Sequence, residues 1–247
     1  MAHEELLAQL DLRREKASAM GGPEKLANRA ERGELNAMER LDALVDPGTF
    51  IESGLLGASG MYKEDEPKTP RDGKIVGFAK INGRDVGVVT NDFTVKGAST
   101  SATNGKKIGH IRRVTTEKGM PFVHIGESTG ARLPDAMGSR GMGMLLGNDT
   151  TQFLRTRENP WAAAAVGTSF GSSAWLCCIS DFAVMRKGSI MSVSSPRLVS
   201  MAIGEKVDLE DLGGWRIHAE YTGLIDRFTN TDEEAMGEIR TFLSYMP

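Results

Sequence analysis

The chain has 247 residues, of which 40% are hydrophobic and 26% are charged, and its formal net charge is −3. This length can bury a sizeable core, and the slightly acidic balance excludes the basic surface typical of nucleic-acid binding. The sequence has no apolar run long enough to span a bilayer and begins with polar, acidic residues unlike a secretory signal, while its two cysteines, the adjacent Cys177 and Cys178, indicate a reducing cytoplasm.

The first 48 residues predict a helical arm. Leucines among many charged residues indicate a first helix, which the Gly21-Gly22-Pro23 break ends. A second helix is expected from about Glu24 to Arg32, and a third from about Asn36 to Leu44, where Asp46-Pro47-Gly48 stops it. We expect this charged arm either to lie on the surface of its own domain or to clasp a partner.

A hairpin is predicted after the arm. Residues 58–72 are rich in charge, glycine and proline and predict a mobile loop. Two strands should follow, from Lys74 to Ile81 and from Arg84 to Thr90, because Asn82-Gly83 between them is typical of a two-residue hairpin.

Two loops of small residues each follow a predicted strand. The first contains Gly97, Ala98 and Ser99 and leads into a helix from about Asn104 to Lys118, whose basic residues are mostly expected on the solvent-exposed face. The second follows the strand Phe122 to Ile125 and runs from Ser128 to Ala131, before a helix that begins at Arg132. Free backbone N–H groups at such corners can bind an anion, although a tight turn closing a βα unit also explains this loop.

A third small-residue loop is predicted from Gly167 to Ser173. It follows a strand from Trp161 to Val166 and leads into a helix from Ala174 to Ile179. The other predicted elements are a helix from Arg140 to Arg157, strands at 181–186, 189–193 and 224–226, and helices at 195–202, 209–219 and 231–245. Strand pairs and helices therefore alternate, which favours an α/β fold of successive ββα turns, with one domain over residues 49–247 following the arm of residues 1–48.

The side chains show no recognisable catalytic constellation. HExxH and the phosphate loop are missing from the sequence, no base is placed beside the hydroxyls of Ser169, Ser172 and Ser173, and the four histidines (His3, His110, His124 and His218) match no triad or metal spacing, so no metal site is expected. His124, inside an apolar strand, is interpreted as a core histidine with its hydrogen bonds satisfied. What remains is a high density of backbone donors, which can stabilise an enolate or thioester oxygen without any special side chain.

Several segments, in order along the whole chain, together resemble a known family. The sequence resembles the N-terminal half of the carboxyltransferase subunit of biotin-dependent acyl-CoA carboxylases, of the propionyl-CoA carboxylase β type. The matching segments are Arg32 to Asp42 (family GKLTARERI), Asp92 to Ser99 (DFTVxGGS), Ser128 to Arg132 (SGGAR), Gly167 to Phe182 (GPCAGGAVYSPAITDF), Leu212 to His218 (ELGGxxxH) and Ser244 to Pro247 (SYLP).

The resemblance implies a crotonase-like ββα superhelix that binds acyl-CoA. By this resemblance the amides of Thr129 and Gly130 are the catalytic groups, which hold the thioester oxygen as an enolate forms. The substrate-binding residues it implies are Gly97, Ala98, Ser99, Ala131, Arg132, Gly171, Ser172 and Ser173. It further implies biotin on a separate carrier protein and a C-terminal-half subunit with which this chain forms a hetero-oligomer, with no nucleic acid and no membrane insertion.

Departures from the family pattern keep three alternatives open. Thr129 replaces a glycine, Ser172 and Ser173 replace Gly-Ala, and Leu133-Pro134-Asp135 replaces Ile-Gln-Glu. The alternatives are a malonyl-type decarboxylase subunit, a biotin-independent crotonase-like hydrolase or hydratase, and a non-catalytic subunit that only binds CoA or a partner. The hydrolase or hydratase would need a carboxylate near the acyl group, for which Glu127 and Asp135 are the candidates in the central loop.

Overall fold

A computed structural model describes residues 2–60, 63–137, 139 and 157–246 of the chain. Within these ranges strands and helices alternate, so the predicted α/β class is confirmed. Residues 140–156, which carry nearly all of the helix predicted between Arg140 and Arg157, lie outside the described residues.

The described strands form a single mixed sheet. They are β1 (Ile51–Glu52), β2 (Lys74–Ile81), β3 (Arg84–Asn91), β4 (Phe122–Ser128), β5 (Trp161–Phe170), β6 (Phe182–Arg186), β7 (Ile190–Ser192) and β8 (Arg227–Thr229). Their order is β1-β2-β3-β4-β5-β6-β8, with β7 beside β5. The predicted hairpin of β2 and β3 is confirmed, while β3 through β6 pair in parallel, so their carboxyl ends share one edge of the sheet.

Helices cover both faces of this sheet. In chain order they are α1 (Ala2–Ser18), α2 (Pro23–Glu31), α3 (Ala37–Leu44), α4 (Ala102–Lys118), α5 (Leu133–Ala136), α6 (Ser172–Cys178), α7 (Pro196–Ile203), α8 (Leu209–Gly213) and α9 (Asp232–Ser244). Helices α3 and α9 bury their apolar residues against one face in the main core, and α4 and α6 pack on the other face.

The three arm helices form as predicted, but they differ in burial. Asn36 caps α3 in a capping box with Glu39, and the two side chains satisfy each other's backbone donors. Leu41 and Leu44 of α3 are fully buried in the main core. Helix α1 is largely exposed, since Ala17 is the buried residue that it contributes among those described.

Strand β5 is longer than predicted, so the turn expected from Gly167 to Ser173 is wrong for its first four residues. The strand continues to Phe170, pairing first with β6 and then with β7. A Cβ atom on Gly167 would lie 2.6 Å from Cδ of Glu127, so the glycine allows close packing within a strand rather than a turn. The last short strand also forms later than predicted, at β8 instead of residues 224–226.

Some residues that the sequence suggested were mobile or exposed are buried. Asp72, at the end of the predicted loop, is fully buried, and Arg71 beside it forms a double hydrogen bond with Glu52. In α4, Arg112 is buried over the ring of Trp161. These polar groups pack on the same side of the sheet as α4.

Candidate functional site

The three small-residue loops meet at the carboxyl edge of the sheet. We name them the β3 corner (residues 95–101), the β4 corner (residues 128–132) and the β5 corner (residues 170–173). A Cβ atom on Gly97 would lie 2.6 Å from Cγ2 of Thr129, and one on Gly171 would lie 3.5 Å from Cα of Gly130. The structure therefore brings residues from all three predicted loops into contact.

A side-chain hydrogen bond also links the outer two corners. The hydroxyl oxygens of Thr100 and Ser172 lie 2.9 Å apart. Gly130 and Gly171 both have positive φ angles, of 95° and 61°, which side chains other than glycine adopt only with strain. Small residues are thus needed here both for backbone conformation and for close approach.

The amides of the β4 corner differ in their partners. The Thr129 amide donates to the backbone carbonyl of Gly97 at 2.9 Å, a bond between two fixed main-chain groups. The Gly130 amide donates to the hydroxyl of Ser128 at 3.1 Å. Among the described residues no acceptor is found for the Ala131 amide, because the bridge to Thr100 uses the groups on either side of it. Gly130 and Ala131 therefore carry the amides best able to donate to a ligand.

Arg132 links the β4 corner to the β3 corner through buried hydrogen bonds. Its guanidinium lies 2.6 Å from the carboxylate of Asp72 and 3.1 Å from the hydroxyl of Ser99, and all three residues are buried. Asp72 also accepts from the hydroxyl of Ser101, which caps α4. The guanidinium of Arg132 and the hydroxyl of Ser99 therefore link the β4 corner to the β3 corner, and both groups are buried rather than exposed at the surface.

The β5 corner places its two serines in different environments. The Ser172 side chain is half-buried and reaches the β3 corner, whereas Ser173 is buried with its hydroxyl 3.3 Å from Nε2 of His124. Burial lowers the pKa of His124 to about 3, so the ring is neutral. The expectation of a fully satisfied core histidine is wrong in one respect, since the buried Nδ1 of His124 has no partner in the part of the chain that the structure describes.

The two carboxylates considered for hydrolysis have contrasting surroundings. Glu127 is buried, accepts two hydrogen bonds from Arg29 of the arm and is also paired with Arg40. Asp135 is buried, one of its oxygens has no hydrogen-bond partner among the described residues, and desolvation raises the pKa of its carboxyl. Its other oxygen lies 3.6 Å from Arg132. Glu127 is therefore engaged in holding the arm, and Asp135 is the carboxyl with free acceptor capacity.

Sequence reasoning missed Lys74, whose buried ammonium bonds to the β3 corner. Its Nζ donates to the carbonyl of Ala98 at 2.7 Å, and the residue is 2% exposed. The available signal was a lysine at the first position of a strand whose next two residues, Ile75 and Val76, are apolar. Burial lowers the pKa of Lys74 to about 7.

No group of three or more histidine, cysteine or acidic residues with metal-binding geometry occurs in the part of the chain that is described. None of its helices combines the length and apolar character that crossing a membrane requires.

Comparison with known proteins finds carboxylase subunits among the relatives of this chain. The carboxyltransferase subunit of propionyl-CoA carboxylase from Haloferax mediterranei is 32% identical over all of this chain and 48% of its own length. Among solved structures, the transcarboxylase 12S hexamer with methylmalonyl-coenzyme A bound is 28% identical, with a TM-score of 0.88 over 99% of this chain and 48% of its own. A Pseudomonas malonate decarboxylase hetero-tetramer shares the fold, at 17% identity and a TM-score of 0.73 over 85% of this chain and 82% of that one.

These likenesses confirm the crotonase-like architecture predicted from the resemblance, since the structures that match are carboxyltransferases of that fold. The chain spans about half the length of the curated relatives it matches. The family described as the carboxyl transferase domain matches residues 28–247. The chain, with its converging corners and its nearly full-length match, therefore belongs to the carboxyl transferase domain family.

Proposed function

We propose that this chain is the acyl-CoA-binding half of a biotin-dependent carboxyltransferase. The observation that carries this proposal is the meeting of the three corners, with the Gly130 and Ala131 amides beside each other at the point of contact. Two adjacent amides directed at one position form an oxyanion hole for a thioester oxygen.

The proposed role of the chain is to bind the thioester and stabilise its enolate. Removal of a proton from the α-carbon, or loss of CO2 from an α-carboxylate, leaves negative charge on the thioester oxygen, and fixed amide dipoles stabilise that charge without reorganising. Thr129 contributes to the site through the position of its peptide, since its own amide bonds to Gly97. Gly130 supplies a donor whose present acceptor is a side-chain hydroxyl, that of Ser128, rather than a main-chain carbonyl.

The proposal assigns biotin, on a carrier protein, to a second polypeptide that supplies the C-terminal half. Biotin would bring the carboxyl group to the α-carbon, and this chain's residues would hold the acceptor. Exposed apolar side chains adjoin the β5 corner: Trp175 follows Gly171 by one helical turn, and Val193 follows Ser192, whose carbonyl accepts from the Gly171 amide. Such a rim fits a partner subunit that completes the site.

The surroundings of Glu127 argue against it as the carboxylate of a biotin-independent hydrolase. A general base needs a free oxygen within reach of the substrate, and both oxygens of Glu127 accept from buried arginines. A hydrolase or hydratase reaction would therefore have to use Asp135.

The proposed oxyanion hole is tested by calorimetry with two ligands, propionyl-CoA and a nitronate analogue that carries the enolate's negative charge. We expect the nitronate to bind more tightly than the thioester. Gly130→Ala should reduce that preference by about tenfold or more, because a side chain at φ 95° displaces the donor peptide. Gly119→Ala is the matched control, since Gly119 has φ 66° with nothing near its Cβ position and lies at the end of α4, before β4 begins.

The control separates local strain from loss of the site. An equal loss of preference in both variants, or equal binding of the two ligands by the unmodified chain, would contradict the oxyanion assignment. Failure of the chain to bind either CoA ligand, alone or with a carboxyltransferase C-terminal-half polypeptide, would overturn the proposed function itself.

A further inference from the structure

A continuous series of hydrogen bonds connects Lys74 to the Gly130 amide. Nζ of Lys74 donates to the carbonyl oxygen of Ala98 at 2.7 Å, and the hydroxyl of Ser128 donates to the same oxygen at 3.0 Å. The Ser128 oxygen in turn accepts from the Gly130 amide at 3.1 Å. Lys74, Ala98 and Ser128 are each 2% exposed or less, so bulk water does not compete for these bonds.

Lys74 occupies its place because of strand register. It is the first residue of β2 and lies directly opposite Asn91 at the end of β3, next to the edge where the corners begin. Both polar side-chain atoms of Asn91 are buried without partners among the described residues. The ammonium therefore relies on the Ala98 carbonyl as its hydrogen-bond acceptor.

Two cations and two anions surround Lys74, and desolvation is the largest single influence on its pKa. Burial is the largest cause that lowers the pKa of this lysine, to about 7. Arg132 and Lys107 lower the pKa further, whereas Asp72 and Asp92 raise it. His124 also faces the ammonium, but its own pKa of about 3 leaves it neutral above pH 4. Two groups of this cluster therefore titrate near neutral pH: Lys74, and Lys107, whose pKa burial lowers to about 8 and whose Nζ donates to the backbone carbonyl of Lys74 at 2.6 Å.

Protonation of Lys74 alters how strongly Ser128 holds the Gly130 amide. The Ala98 oxygen has two lone pairs and two donors, and a charged donor weakens the bond from the other. Weaker donation by Ser128 leaves its oxygen less negative, so it accepts less strongly from Gly130. A charged lysine in this buried cluster also attracts negative charge on a nearby oxygen.

We propose that Lys74 is a positioning residue whose charge state sets, through the Ala98 carbonyl and the Ser128 hydroxyl, how readily the Gly130 amide is released to an incoming oxyanion. The role in catalysis rests on the proposed function, whereas the coupling between Lys74 and Gly130 does not. Charged Lys74 favours release, and neutral Lys74 keeps the amide bonded to Ser128.

The coupling is measured by NMR on the full chain without any CoA ligand, following the lysine ¹³Cε and the Gly130 amide signals from pH 5.5 to pH 9. Both signals should titrate with one shared midpoint near pH 7. The Gly130 proton should move downfield as pH rises, because its bond to Ser128 strengthens. Lys74→Met should abolish the Gly130 titration, and Ser128→Ala should abolish it while leaving the Lys74 titration in place.

Two further variants make the outcome decisive if Lys74→Met does not fold. Lys74→Arg keeps its charge throughout the range and should hold the Gly130 signal at its low-pH position. Lys80→Met removes an exposed lysine that pairs with Asp85 and should leave the titration unchanged. A Gly130 signal that ignores the Lys74 titration, or that titrates equally in Ser128→Ala, would overturn the coupling.

Binding of the nitronate analogue tests the consequence for the site. Its affinity should fall by at least severalfold between pH 6 and pH 8.5 in the unmodified chain and stay nearly constant in Lys74→Arg. Coupling without nitronate binding would sink the proposed function and leave this inference standing. Nitronate binding with no NMR coupling would sink the inference alone.

Discussion

Neighbouring amides in the β4 corner differ in how readily they can exchange their present hydrogen bond for one to a ligand. The Thr129 amide is bound to a main-chain carbonyl, and releasing it would pull the β4 corner away from the β3 corner. The Gly130 amide is bound to a side-chain hydroxyl, and no acceptor occupies the Ala131 amide among the described residues. On these bonds we propose Gly130 and Ala131 as the pair for an oxyanion, one residue later than the Thr129–Gly130 pair that the family resemblance implied.

Lys74 also makes the stability of the protein depend on pH. Its pKa is about 7 in the folded chain and has an ordinary value of 10.5. Between these two values the unfolded state binds more protons, so stability rises with pH across the window from pH 7 to pH 10.5. Below pH 7 both states are protonated, and the full cost of the buried charge is present.

We predict that Lys74→Met removes this dependence. The free energy of unfolding of the unmodified chain minus that of Lys74→Met should increase by about 2 kcal/mol between pH 7 and pH 9, since each pH unit in the window contributes up to about 1.4 kcal/mol. Urea unfolding at the two pH values measures it. Lys80→Met is the control, because this lysine is exposed. If the stability difference for Lys74→Met changed with pH as little as that for Lys80→Met, the pKa of Lys74 would not differ between the folded and unfolded states.

A buried ion cluster fastens the arm to the sheet at the level of whole elements. Glu127 at the end of β4 pairs with Arg29 of α2 and Arg40 of α3, and Arg40 also bonds to Asp232 at the start of α9 at 2.8 Å. Each buried charge is stabilised by its oppositely charged partners, so removing one of them leaves the others uncompensated in an apolar interior.

We predict that Glu127→Gln strongly lowers the free energy of unfolding and has a much smaller effect on acyl-CoA turnover. The loss of the shared carboxylate should cost about 3–5 kcal/mol of unfolding free energy, because two buried arginines lose their counter-charge. Glu117→Gln, which breaks an exposed pair with Arg113 in α4, should cost less than about 1 kcal/mol. Chemical denaturation compares the two. An unchanged stability together with a selective loss of acyl-CoA turnover would instead identify Glu127 as a catalytic base.

Some element boundaries depend on packing that local sequence does not report. The residues from Gly167 to Phe170 suggested a turn, yet they continue β5 because they pair with β7, and Gly167 leaves room for the Glu127 side chain. By contrast, the Asn82-Gly83 turn formed as expected, with φ angles of 52° and 79° that match a two-residue hairpin. Its cause is local, so the sequence was sufficient.

For the molecule as a whole, an apolar face remains exposed on one helix. Helix α7 contributes Leu198, Met201 and Ile203, of which Met201 is 72% exposed, and no residue of this helix is buried. The relatives that match this chain are about twice as long, so the C-terminal-half polypeptide of the proposed function is the occupant that we expect on this face.

We predict that Met201→Glu weakens co-elution with that C-terminal-half polypeptide by at least tenfold in apparent affinity, because a charge would be buried at the interface. Leu7→Glu, on the exposed side of α1, is the control and should leave association intact. Size-exclusion chromatography of the mixed polypeptides gives the comparison. Equal association of both variants would place the partner elsewhere.

The sequence by itself determined the α/β class, the arm helices, the hairpin, the three small-residue corners and the family, because periodicity, glycine turns and ordered motifs are local signals. Tertiary structure alone decided which corner atoms meet, which amides have partners and which charges are buried. Lys74, Glu127 and Arg132 illustrate the reason: each is an ordinary charged residue in the sequence, and its role depends on groups from strands and helices distant in the chain. Hydrogen-bond partners and desolvation are properties of the assembled fold, so no pattern along one segment could report them.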